Sequence, residues 1–127
     1  MTTHIEPYNE TVFDHLLHRF RMTREQELQQ RWLLLEAAHI VGQTRFLPHL
    51  RVHSLMLSVG WQTRHWTEVA GQLFRIMLVP IGHLTGQLPL GNPGRSNISA
   101  FKTMTPNPEI SQLISESTGA IHPLSQH

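Results

Sequence analysis

The chain has 127 residues, ten Lys or Arg against nine Asp or Glu, and a formal net charge of +1. That length suits one domain with a single hydrophobic core, and the absence of any cationic run argues against a nucleic-acid surface, which needs clustered Lys and Arg. Lys102 is the sole lysine, which argues against polybasic membrane attachment, and with no cysteine any bound metal must take nitrogen and oxygen ligands.

No apolar run is long enough to span a bilayer. The first seven residues, Met1 to Pro7, lack the basic and apolar regions of a signal peptide, so a cytoplasmic location is expected. Long aliphatic and aromatic side chains thin out after Phe101, so the core is expected to end near there. Residues 1–105 read as one helical domain and 106–127 as a flexible tail holding a short helix.

In chain order, Val12, Phe13, Leu16, Leu17 and Phe20 recur at helical spacing and predict an amphipathic helix from Asn9 to Met22. Thr23-Arg24-Glu25-Gln26 reads as a capping box opening a second helix that runs to Val41 and stops at Gly42. Leu28, Trp32, Leu35 and His39 lie within about 60° on that helix, so His39 falls on its core stripe. A loop of about five residues leads to Pro48, placed as the first residue of a third helix ending at Gly60. A fourth helix is expected from Thr63 to Val79, closed by Pro80. Trp66, Val69, Ala70, Leu73, Phe74 and Met77 form its predicted core stripe, with His65, Glu68, Gln72 and Arg75 on the solvent side. Gly and Pro then dominate to Phe101, which predicts a loop laid back over the bundle. Asn107-Pro108-Glu109 reads as the start of a tail helix to about Ser117. The expected fold is therefore all-α: a four-helix antiparallel bundle with an ordered C-terminal loop and a short tail helix.

Ten histidines are the compositional outlier. His49 and His53 are four apart, so they stack on one helix face and can offer two imidazoles to one ion. The short link to the preceding helix makes the two antiparallel neighbours and brings His39 level with His49. Three ligands then converge, with Glu36 and His83 as candidates for a fourth. Glu36-x-x-His39 lacks the second copy and further glutamates of a di-iron carboxylate site. Leu50 and Arg51 stand where a metalloprotease would need Glu. Such ligands suit Zn, Cu, Ni or Fe, and a haem pocket ranks behind these. The competing reading is that His39, His49 and His53 are neutral core histidines, each donating to a carbonyl or to Glu36 or Gln43. The run Gly91 to Asn97 reads more readily as a loop fastened by Asn side chains than as an anion nest with Arg95.

The sequences Ala38-His39-Ile40-Val41-Gly42-Gln43, Pro48-His49-Leu50-Arg51-Val52-His53 and Leu88-Pro89-Leu90-Gly91-Asn92-Pro93-Gly94 together resemble a bacterial family of short helical proteins of unknown function. The resemblance covers roughly residues 20–105. It implies a small helical protein and carries over no activity. The expected function is a small metal-binding protein whose role, in storage, sensing or catalysis, stays open. The alternative is a helical interaction module, homodimeric in its simplest form, and a metal-dependent enzyme with an open ligand position is third.

Overall fold

A computed structural model describes residues 8–88 and 90–121, the side chain of Ile121 excepted. Five helices follow one another: α1 Glu10–Met22, α2 Leu28–Gly42, α3 Phe46–Gln62, α4 Trp66–Thr85 and α5 Pro108–Ile121. No strand occurs among the described residues. α2 is central, touching α1, α3 and α5, while α4 packs on α3.

α1 forms where its pattern places it. Asn9 caps it, its Oδ1 accepting from the Val12 N–H at 3.1 Å, and the five apolar residues of its stripe are all buried. Thr23 does not open α2. Its hydroxyl donates to the Arg19 carbonyl at 2.6 Å and its N–H donates to the Phe20 carbonyl, so the residue closes α1, and α2 begins five residues later. Gly42 ends α2 for a reason other than a left-handed turn, since a Cβ there would lie 2.8 Å from the Phe13 ring. Three residues link α2 to α3. Pro48 is the third residue of α3, still within the first turn, whose N–H groups have no helical acceptor.

α4 departs most from expectation. It runs through Pro80 and ends at Gly86, whose φ of 72° lets its N–H reach the Gly82 carbonyl. More consequentially, it faces the other way. Glu68, Gln72 and Arg75 are buried with Val69 and Val79, while Trp66, Leu73, Phe74 and Met77 are exposed. The polar face expected in solvent is the one packed inward, because α2 and α3 present imidazoles there that only polar groups can satisfy.

The segment after α4 lies over the bundle as expected. Asn92 is 1% exposed and ties the loop together, its Nδ2 donating to the Ser99 and Lys102 carbonyls at 2.7 and 2.8 Å. Gly91 has φ 80°, and a Cβ there would collide with the Met104 carbonyl. The core does not end near Phe101, which is itself exposed. α5, capped by Asn107, packs on α1 and α2 and adds Ile110 and Leu113 to the apolar cluster. Ile110, Leu113 and the partly buried Ile114 dock this segment, although its composition reads as a tail.

Candidate metal centre

His39 comes from the last turns of α2, and His49 and His53 from the first half of α3. The three are 2%, 5% and 2% exposed. Their Nε2 atoms form a near-equilateral triangle: 3.1 Å between His39 and His49, 3.0 Å between His39 and His53, and 3.2 Å between His49 and His53. Among the described residues this is the one group of three or more His or acidic side chains with donor atoms close enough to share an ion.

The partners on the far side of each ring decide what those nitrogens carry. His39 Nδ1 lies 2.7 Å from the Asn92 carbonyl. A carbonyl can only accept, so Nδ1 holds the proton and Nε2 of the neutral ring is a bare lone pair. His53 Nδ1 lies 2.7 Å from Gln72 Oε1. The Gln72 amide cannot be reversed, because its Nε2 donates to Glu68 Oε2 and to the Gly94 carbonyl, both at 2.8 Å. His53 Nε2 is therefore bare as well. His49 Nδ1 lies 3.0 Å from His83 Nε2. When His49 donates there, three lone pairs meet at one point. When His49 instead carries its proton on Nε2, the His39–His53 contact still sets two lone pairs against each other.

Burial keeps the rings neutral. It pushes His39 well below the ordinary imidazole value, with His53 and His49 adding to the effect. His49 is lowered to about 3 by burial and by its neighbours His53 and His83. His53 is lowered to about 4 by burial, against which the Gln72 hydrogen bond acts. Neutral imidazole is the form that binds metal.

Behind Gln72 stands a buried ionic network. Glu68 opposes burial, which would raise its pKa, with hydrogen bonds from Gln72, Arg95 and the Ser96 N–H, and is held below the usual carboxylate range. Arg95 pairs with Glu68 and with Glu36 at 3.4 Å, and stacks on Trp32 with its guanidinium carbon 3.7 Å from the ring centroid. Burial raises the Glu36 pKa, and Arg95 partly offsets it.

Of the five residues singled out from sequence, His39, His49 and His53 come together. Glu36 turns to Arg95, and His83 sits behind His49. Gln72, Asn92, Glu68 and Gly94 were not among the candidate ligands. One signal for them existed: Glu68, Gln72 and Arg75 are spaced four and three apart, a continuous polar face with Gly71 beside it. Gly71 admits the loop, since a Cβ there would meet Ser96 Cβ at 2.3 Å. Gly94 does the same at the triad, where a Cβ would stand 2.7 Å from the His39 ring.

A cavity of about 120 Å³ adjoins the triad, with walls that include Leu78, Val79, Leu88 and Arg75.

Fold and site together define a small all-α protein with a buried three-imidazole cluster able to hold a metal ion. A family described as a protein of unknown function (DUF3703) matches residues 8–114, and the chain belongs to that family. The match takes in α1 and the first half of α5, both outside the stretch on which the resemblance was read. No curated protein and no solved structure matches the chain.

Proposed function

We propose that the protein binds one transition-metal ion through Nε2 of His39, His49 and His53. The observation that carries this is the pair of fixed tautomers: Asn92 and Gln72 hold the protons of His39 and His53 on Nδ1, so unprotonated nitrogens face each other in the buried interior. A cation is what resolves that contact. The Nε2 separations of 3.0–3.2 Å are close to the edge of about 3.3 Å that a tetrahedral ion makes at metal–nitrogen distances of ~2.0–2.1 Å. Outward hydrogen bonds from ligand imidazoles to a carbonyl or an amide are the usual means of fixing ring orientation and raising basicity. The main-chain acceptor on His39 thus favours the site. His83 takes the corresponding place behind His49, and Glu36 acts through Arg95 on Glu68 and Gln72.

Zn, Cu, Ni and Fe all suit three imidazoles. Haem does not: the cavity beside the triad is about 120 Å³, far short of the ~300–1,000 Å³ of pockets for larger ligands. Three protein ligands leave one tetrahedral position free, the arrangement in which a bound water can react.

The test is elemental analysis of untagged protein and of the His49→Ala/His53→Ala double variant after zinc incubation and desalting. One metal per chain in the first and a large loss in the second are expected. Metal near zero in the wild type, with unchanged thermal stability on adding Zn, Ni, Cu or Fe, would overturn the reading.

A second reading concerns the outside of α4. Trp66, Leu73, Met77 and Leu84 follow one another at seven, four and seven residues, with Phe74 and Ile81 beside them, and all six are exposed. That is the spacing of a helix-packing seam. Together such side chains expose on the order of 700 Å², close to the ~800 Å² each partner buries in a standard interface. A second copy of the chain, packed α4 to α4 about a two-fold axis, is the occupant this self-complementary apolar stripe fits. Ile81 and Phe101 also line the cavity, so that dimer would cover its mouth.

A further inference from the structure

Arg75 makes no hydrogen bond to the triad, although its charge helps hold His39 and His53 neutral; it is 7% exposed and lines the cavity with His39, His49 and His53. Its Nη1 donates to the Gly71 carbonyl at 3.2 Å and its Nη2 to the Ile98 carbonyl. Its Nε has no partner, although buried. No carboxylate among the described residues is within ion-pair distance of it; the four ion pairs all lie elsewhere. A buried cation that Glu68 reaches only through space, with no contact ion pair, is a costly arrangement.

The charge balance worsens when the triad is filled. All three ligands are neutral, so a divalent ion brings its whole charge into the interior. Glu68, which acts on His53 and Arg75, and Glu36 are both engaged by Arg95, Glu68 also by Gln72 and the Ser96 N–H. By count those two acids offset Arg95 and Arg75, Glu68 acting on Arg75 through space, so the charge of a divalent ion would be the part left uncompensated. The interior beside the triad therefore calls for an anion supplied from outside, and the cavity has room for one.

Size and lining narrow the class. About 120 Å³ is slightly less than the ~150 Å³ cavity that accommodates benzene, which allows roughly four to six heavy atoms. Leu78, Val79, Leu88 and Ala100 make much of the wall apolar. A carboxylate has two oxygens, one for the free position of the ion and one to accept a charge-assisted hydrogen bond from the guanidinium, whose Nε has no partner.

We infer that the cavity is a binding site for a small monocarboxylate with a short alkyl tail, held between the triad-bound ion and Arg75. This inference rests on the metal reading, and cobalt separates the two. Co(II)-loaded full-length protein would be titrated with acetate, propionate and bicarbonate, and with acetamide as an uncharged isostere, while the visible absorption of the ion is followed at constant ionic strength. Acetate and propionate are expected to give a saturable spectral change and acetamide none. Arg75→Met should weaken the carboxylate response at least tenfold, and Arg75→Lys less, with circular dichroism confirming that both variants are folded. An equal response to acetate and acetamide in the wild type would overturn the inference even if the Met variant failed to fold. So would identical carboxylate binding in a folded Arg75→Met protein. A response to bicarbonate alone would replace the short-chain assignment with an inorganic anion. A cobalt band that ignores every anion refutes the carboxylate site alone, whereas absence of any cobalt band in protein that also retains no zinc refutes the metal reading and takes this inference with it.

Discussion

α1, α2 and α5 meet through Phe13, Leu16, Leu17, Leu34, Leu35 and Ile110, all buried and apolar. α4 meets the rest of the molecule through Gln72 on His53, His83 on His49, and Glu68 on the loop at Arg95 and Ser96, together with Val69 beside Gly60 and Trp66 against Trp61, and it supplies nothing to the main apolar cluster. Apolar contact tolerates small displacements at modest cost, because the hydrophobic effect has no direction. A hydrogen-bonded junction does not, since each bond fails within a few tenths of an ångström or some tens of degrees. One half of the protein is thus built for stability, and the other holds three nitrogens in fixed positions, as a ligand site requires.

The sharpest way to break this contrast is to cut each half in turn. Leu35→Ala is expected to cost ~2–5 kcal/mol of unfolding free energy, read from urea midpoints, while zinc affinity of the folded fraction stays near the wild-type value. Gln72→Leu removes the acceptor that holds the His53 proton on Nδ1. It should weaken zinc binding ~10–100-fold, with a stability loss of ~1–3 kcal/mol for each buried group left unpaired. If both variants lost stability and affinity in the same proportion, the division into two halves would be wrong.

Acid sharpens the comparison next. His49 and His53 titrate at about 3 and about 4 in the folded chain against an ordinary value of 6.5, so the unfolded chain binds more protons between those limits. Metal-free protein is therefore expected to be most stable above pH 6.5 and to lose stability as pH falls from there toward 4. Zinc should be released over the same interval by proton competition. Urea midpoints of the metal-free protein that do not fall between pH 7 and 5 would contradict this, as would loss of stability confined to higher pH.

The smallest effect on the folded monomer is expected on the outside of α4. Leu73→Glu/Met77→Glu should convert a dimer to a monomer in light scattering, with a monomer stability change within ~0.5 kcal/mol per site and metal content preserved. A wild type that is monomeric at every concentration tested would remove the second-copy assignment.

Much of this was legible in the residues. The α1 stripe, the Asn107 cap, and the Asn-fastened loop follow from local chemistry. The i, i+4 histidines with a short link to His39 sufficed to bring three imidazoles together. The inversion of α4 was not legible, for a definite reason. Its apolar face is the stronger hydrophobic stripe, and taken alone a helix turns that face inward. Only the Nδ1 proton of His53, on another helix, makes Gln72 the better neighbour. The continuation of α4 past Pro80 was missed because a lost hydrogen bond does not stop a helix that flanking contacts still hold. Neither fact resides within the segment it governs.

The central claim is that the Nε2 atoms of His39 and His53 are unprotonated and share one ion. Histidine ¹⁵N spectra of the metal-free protein at neutral pH test it most directly, with one equivalent of zinc added afterwards. The expected result is that both rings carry their proton on Nδ1 before zinc, and that the Nε2 signals of His39, His49 and His53 move together on its addition while the Nδ1 protons of His39 and His53 stay. Nε2-protonated rings at His39 and His53 that zinc leaves untouched would contradict it.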